Sequence, residues 1–125
     1  MLYWSIIDFG RRIPFEFPIW IIEARISNYK VITNKIFKIS ESNKDSLNIA
    51  KAEYYLGDFY FFTSKNDSAY YYFLSAEKKY KTLNDKSSLA TTILHKAYIL
   101  LYEKDYLGSE SETIKVLNIA KEIKD

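Results

Sequence analysis

From residue 19 to residue 125 the chain contains no proline. Nothing in that span forces a helix to stop, because proline alone both removes a backbone donor and clashes with the preceding turn. Within it, apolar residues recur at steps of three and four, the signature of helices with one buried face. One run holds Leu47, Ala50, Tyr54, Leu56, Gly57, Tyr60 and Phe61, and ends at "TSKND". A second holds Ala69, Tyr72, Phe73, Ala76, Tyr80 and Leu83, and ends at "NDKSS". A third holds Leu89, Ala90, Ile93, Leu94, Ala97, Leu100 and Leu101, and a fourth, after "EKDY", holds Ile114, Leu117, Ala120 and Ile123. The pattern predicts helices over 45–63, 67–83, 86–103 and 107–124, with Asp67 as the N-cap of the second. Loops of two to four residues make each helix antiparallel to its neighbour, so the expected class is all-α, built of helical hairpins.

The hairpins repeat. "SLNIAKAEYYLGDFYFF" and "KSSLATTILHKAYILLY" align forty residues apart, with Ile49 and Ala50 on Leu89 and Ala90, Gly57 on Ala97, and Ala69 on Ser109. Small residues fall on small ones where helices approach closely. Upstream, "NYKVITNKIFKISES" matches the second helix of a hairpin whose first helix is expected in "PIWIIEARIS". A fixed period of this length means stacked supersecondary units. Two domains of description follow: an irregular segment 1–27, containing the possible first helix of a degenerate repeat, and a repeat region 28–125.

Composition narrows the function. The chain has 125 residues and no cysteine, which removes thiol catalysis, thiolate metal sites and disulfides. Its 18 Lys and Arg nearly balance 16 Asp and Glu, so a dedicated nucleic-acid binder is not expected. The run "FPIWII" is far shorter than a membrane span, and the start lacks the charge order of a secretory signal, so a cytoplasmic protein is expected. Trp4, Phe15, Phe17 and Trp20 suggest a membrane-surface role, against which Asp8, Glu16 and Glu23 argue. His95 is the single histidine, carboxylates are scattered, and Gly57 and Gly108 stand alone, so no enzyme, cofactor or metal site is expected. "SESE" at 109–112 reads as acid meeting the start of a helix. Lys78, Lys79 and Lys81 beside Tyr80 suggest base stacking with phosphate contacts, although Glu77 and Asp85 flank them.

The central hairpin resembles a tetratricopeptide repeat. Leu56-Gly57, Tyr60, Ala69, Phe73 and Ala76 fall on that family's leucine-glycine, tyrosine, alanine, aromatic and alanine positions, while Glu53 and Lys81 replace its tryptophan and proline. The second hairpin matches more weakly, with Ala97, Leu100, Ser109 and Thr113 at the corresponding places. A forty-residue period exceeds the about 34 residues usual for the repeat, which indicates a longer-helix variety. The resemblance implies a short right-handed solenoid and a non-enzymatic protein- or peptide-binding module. Bacterial relatives of the pattern often regulate an adjoining DNA-binding or kinase domain; with none here, the chain is expected to be part of a larger regulator or to act in trans.

The stretch 54–76 holds ten Tyr and Phe. Tyr60, Tyr72, Phe73 and Tyr80 are expected in the core. By the family's geometry the first helix of each hairpin lines a concave groove. That places Tyr54, Asp58, Phe61 and Phe62 on one wall and Leu94, Tyr98, Leu101 and Tyr102 on the next, with Lys51 and His95 nearby. Tyr54, Asp58, Leu94 and Tyr98 stand where some members hold the Lys and Asn that grip a carboxylate terminus, so an apolar or amphipathic helical ligand is the better expectation. Ile114, Leu117 and Ile123 are expected to lie uncovered, which raises an alternative: end-to-end homodimerisation, with assembly as the function.

Overall fold

A computed structural model describes residues 19–124. All five elements among the described residues are helices: α1 (Ile19–Ser42), α2 (Ser46–Phe62), α3 (Asn66–Thr82), α4 (Lys86–Tyr102) and α5 (Tyr106–Lys124). Each packs on the next in chain order, and no other pair of described helices makes comparable contact. The all-α reading holds, and the four sequence-derived helices agree within a residue or two. Residues 1–18, including Trp4, Phe15 and Phe17, lie outside the described residues.

The turns explain the regularity. Lys44, Ser64, Asn84 and Lys104, each twenty residues after the last, are the only non-glycine residues at positive φ among those described. Around each, the same bonds recur. The N–H of Asp45 donates to the Ser40 carbonyl and that of Lys44 to Glu41, as Lys65 does to Tyr60, Asp85 to Tyr80 and Asp105 to Leu100. This is the Schellman closure, which satisfies carbonyls orphaned at a helix end. The residue that completes it also opens the next helix. Asp45, Asp85 and Asp105 accept from the backbone N–H groups of Asn48, Ser88 and Gly108 at 3.2, 3.2 and 2.9 Å. Three residues therefore end one helix and cap the next.

Two expectations about helix starts need correction. The residue at the N-cap of α3 is Lys65, which makes no side-chain cap, and Asp67 sits inside the first turn. The twenty-residue turn register overrides the better capping residue two places on. Lys65→Asp is expected to supply the missing cap and raise stability by about 1 kcal/mol, seen as a higher urea midpoint. Likewise "SESE" does not open α5: the helix begins at Tyr106, its first turn carries no acid, and Glu112 is buried among cations instead.

The expected hairpin in 19–42 is also absent. Residues 19–27 and 28–42 form one continuous helix, because no turn of the kind at 43–45 interrupts them. The boundary at residue 27 is not a structural break.

The interior is built on alanine and aromatic contacts. Ala50, Ala52, Ala69 and Ala76 are fully buried, which lets the helices come close. Phe61, Ala69, Phe73 and Ile99 form one cluster, flanked by Tyr54, Tyr60, Tyr70, Tyr98 and Tyr102. Ala50, Ala76 and Tyr80 form another. At Gly57 even a methyl group would lie 2.7 Å from the Phe73 ring, so α2 and α3 meet there without room for a side chain. Tyr80 and Phe73 are core, as expected; Tyr60 and Tyr72 are half-buried and instead stack in parallel, with centroids 5.5 Å apart. Lys30 of α1 reaches over Phe59 and Tyr60 of α2.

Candidate functional site

The grouped residues of the sequence reading lie on α2 and α4, and α2 touches α4 through their rings. The Tyr54 and His95 rings are 5.2 Å apart, and Phe61 meets Tyr102 edge-on at 5.4 Å. This seam divides the candidate residues by burial. Phe61 and Asp58 are buried, and Tyr54 and Tyr102 half-buried. Phe62, Leu94 and Tyr98 are half-buried, and Lys51 and Leu101 are exposed. Tyr55 and Leu47, 39% and 38% exposed, extend the same face of α2 and were missed by the sequence reading. The signal was there: Lys51, Tyr55 and Phe62 are spaced by four and seven, the step of one helical stripe. Helical periodicity puts Leu47, Lys51, Tyr55 and Phe62 on one face of α2, and Leu94, Tyr98 and Leu101 on one face of α4, the two helices that the Tyr54–His95 and Phe61–Tyr102 contacts join into a wall.

The wall encloses a polar knot. The ring nitrogen Nδ1 of His95 lies 2.8 Å from the Thr91 carbonyl one turn back. That bond makes Nδ1 the protonated nitrogen of the neutral ring, so Nε2 is the acceptor and takes the Tyr54 hydroxyl at 3.2 Å. Asp58 Oδ1 stands 3.7 Å from the same Nε2. Tyr54 and Asp58 of α2, the Phe73 ring of α3 and Tyr98 of α4 together surround the imidazole. Burial holds the His95 pKa below its ordinary 6.5, against the opposing pull of the Thr91 carbonyl. Burial, reinforced by the Asp58 charge, likewise pushes the Tyr54 hydroxyl well above the usual tyrosine value. Both groups are therefore neutral at pH 7. The knot ties α2 to α4 and orients Tyr54, and both imidazole nitrogens are already engaged.

Because the folded imidazole resists protonation, its contribution to stability is complete above pH 6.5 and is lost as the pH falls below 6.5 through the lowered folded value. Thermal melting is expected to show an acid-side loss of stability that shrinks in His95→Gln.

Comparison with family models, with curated proteins and with solved structures finds no match. The site's meaning therefore rests on its own chemistry. Among the described residues no group of histidine and carboxylate side chains is placed to hold a metal ion, and no helix is long and apolar enough to cross a membrane. The basic stretch near Tyr80 does not make a stacking platform: Tyr80 is buried, and Lys79 is held by Glu53 at 2.7 Å. What the α2–α4 wall offers is aromatic and aliphatic area, a cation at Lys51 and a rigid backing.

Proposed function

We propose that the protein is a cytoplasmic, non-enzymatic interaction module of the tetratricopeptide-repeat type, a short right-handed solenoid that holds a peptide or amphipathic helix against the α2–α4 wall. The observation that carries this reading is the wall itself: Tyr55, Phe62, Leu94, Tyr98 and Leu101 offer rings and aliphatic groups at a surface. Such groups contribute contact area at low entropic cost, because their backbone is already fixed by the packed helices. The mainly sequential helix packing and the direct ring contacts between α2 and α4, the first helices of successive hairpins, support the stacked arrangement. Tyr54, Asp58, Leu94 and Tyr98, rather than Lys and Asn, at the places that grip a carboxylate in the resembled family favour an apolar helical ligand over a charged chain end.

Selection from a displayed peptide library tests the reading. The bait would be the full chain beside Tyr55→Ala/Leu94→Ala/Tyr98→Ala, a variant that spares the buried Phe61 and the Tyr54–His95 bond. Amphipathic sequences with apolar residues three and four apart should be enriched by the wild type and lost with the variant. Equal enrichment by both proteins, or none by either, would remove the wall as a binding surface.

A further inference from the structure

A second surface, separate from the α2–α4 wall, lies on the outward side of α5. Leu107, Glu110, Ile114, Leu117, Lys121 and Lys124 follow one another at steps of three, four, three, four and three. That is the spacing of a seam between two helices. All six are exposed, Leu107 by 81%, Ile114 by 49% and Leu117 by 57%. The opposite side of α5, with Ser109, Glu112, Val116 and Ile119, is the buried or half-buried one; Ser109 donates to the Ala97 carbonyl and Glu112 meets Lys96, both on α4. The outward seam is thus a second apolar stripe on a helix whose inner face is already used.

Its charges are ordered. The seam is acidic at Glu110, apolar at Ile114 and Leu117, and basic at Lys121 and Lys124. Neither Glu110 nor Lys121 makes an ion pair among the described residues. Such a pattern is complementary to itself, but only when reversed.

We propose that the protein self-associates through this face, two copies pairing their α5 helices antiparallel about a two-fold axis. With Ile114 opposite Leu117 of the second copy, Glu110 falls opposite its Lys121, and Leu107 opposite its Lys124, whose aliphatic stem can cover the leucine. Symmetry repeats each contact, as a two-fold interface requires. Four apolar side chains then fill the centre, and two ion pairs flank it. A parallel pairing sets Glu110 against Glu110 and Lys121 against Lys121, so like charges select against it.

Sedimentation of the full chain from micromolar to near-millimolar concentration tests this, with Glu110→Lys, Lys121→Glu and the double reversal as variants. Circular dichroism checks that each exposed substitution leaves the helices formed. The wild type should show a reversible monomer–dimer equilibrium. Each single reversal places like charges at both flanks and should weaken it by about tenfold or more. The double reversal should dimerise again, and mixing the two single variants should give a heterodimer, since their charges complement each other. The wall variant Tyr55→Ala/Leu94→Ala/Tyr98→Ala should dimerise as the wild type does, which separates this inference from the binding function. A wild type that stays monomeric throughout overturns the proposal. So does a dimer indifferent to the single reversals, which would be formed elsewhere, or a mixture that fails to associate.

Discussion

Lys96→Ala should cost about 3 kcal/mol of unfolding free energy, because it strands the half-buried Glu77 carboxylate and leaves the buried Glu112 with only the exposed Lys115 as a cation. Lys96 is 3% exposed. Its ammonium lies 2.5 Å from Glu77 of α3 and 3.2 Å from Glu112 of α5, and sits over the Tyr70 ring. One cation on α4 thus ties three successive helices. Burial lowers the Lys96 pKa, but the hydrogen bond and charge of Glu77, with Glu112 behind it, outweigh that, and the net shift is upward from 10.5. A folded pKa above the unfolded one means that the stabilisation is complete below pH 10.5 and is lost as the pH rises through the raised value. Urea denaturation of Lys96→Ala measures the loss. The companion variant Lys96→Met/Glu77→Leu/Glu112→Leu should recover much of it, because replacing a whole buried ionic group by apolar side chains is often neutral or better. If Lys96→Ala melts like the wild type, the three-helix tie is not a stabilising element.

Phe73→Ala should cost a similar amount, about 3–5 kcal/mol, since the ring is 1% exposed and its loss leaves a cavity between α2, α3 and α4. Its partner in this test is Gly57, whose backbone the ring overlies. Gly57→Ala in the wild type drives a methyl group into the ring and should destabilise by about 1–3 kcal/mol. With Phe73 already cut to alanine the obstacle is gone. The same glycine replacement should then be harmless or gain up to about 1 kcal/mol from helix propensity. A sign change between backgrounds is the expected result of the double-mutant cycle; strictly additive effects would show that the two residues do not compete for one space.

These tests mark the line between what was legible in the sequence and what was not. The helices were legible because proline is absent after residue 18, and because apolar residues recur at threes and fours between short polar breaks; the capping aspartates Asp45, Asp85 and Asp105 were not read. Gly57 was legible as a small residue where helices approach closely, whereas its partner, the Phe73 ring, was not. The cap at Asp67 was misjudged because "TSKND" offers several polar starts, and only the turn geometry, with Ser64 at positive φ, chooses among them. The hairpin expected in 19–42 came from completing a repeat, and Ser27-Asn28 at its joint, without glycine or proline, did not break the helix. The Lys96 tie and the Tyr54–His95–Asp58 knot were not legible. Each joins different helices, and periodicity fixes which face a residue occupies without fixing which neighbour it meets. Tyr60 and Tyr72 illustrate the same limit: their spacing marks a shared face, whereas their parallel stacking depends on how α2 and α3 rotate about each other.

The four turns share one backbone solution at a constant interval. A cut and rejoining made at equivalent places in two turns therefore restores an intact joint. Removing or duplicating forty residues leaves every closure in place and keeps first helices following second ones, whereas twenty residues keep the joints but exchange the two helix roles. The natural unit of change in such a chain is the whole hairpin. Its reach can grow or shrink in increments without any joint being redesigned, and lineages carrying this architecture are expected to differ in length by multiples of forty residues.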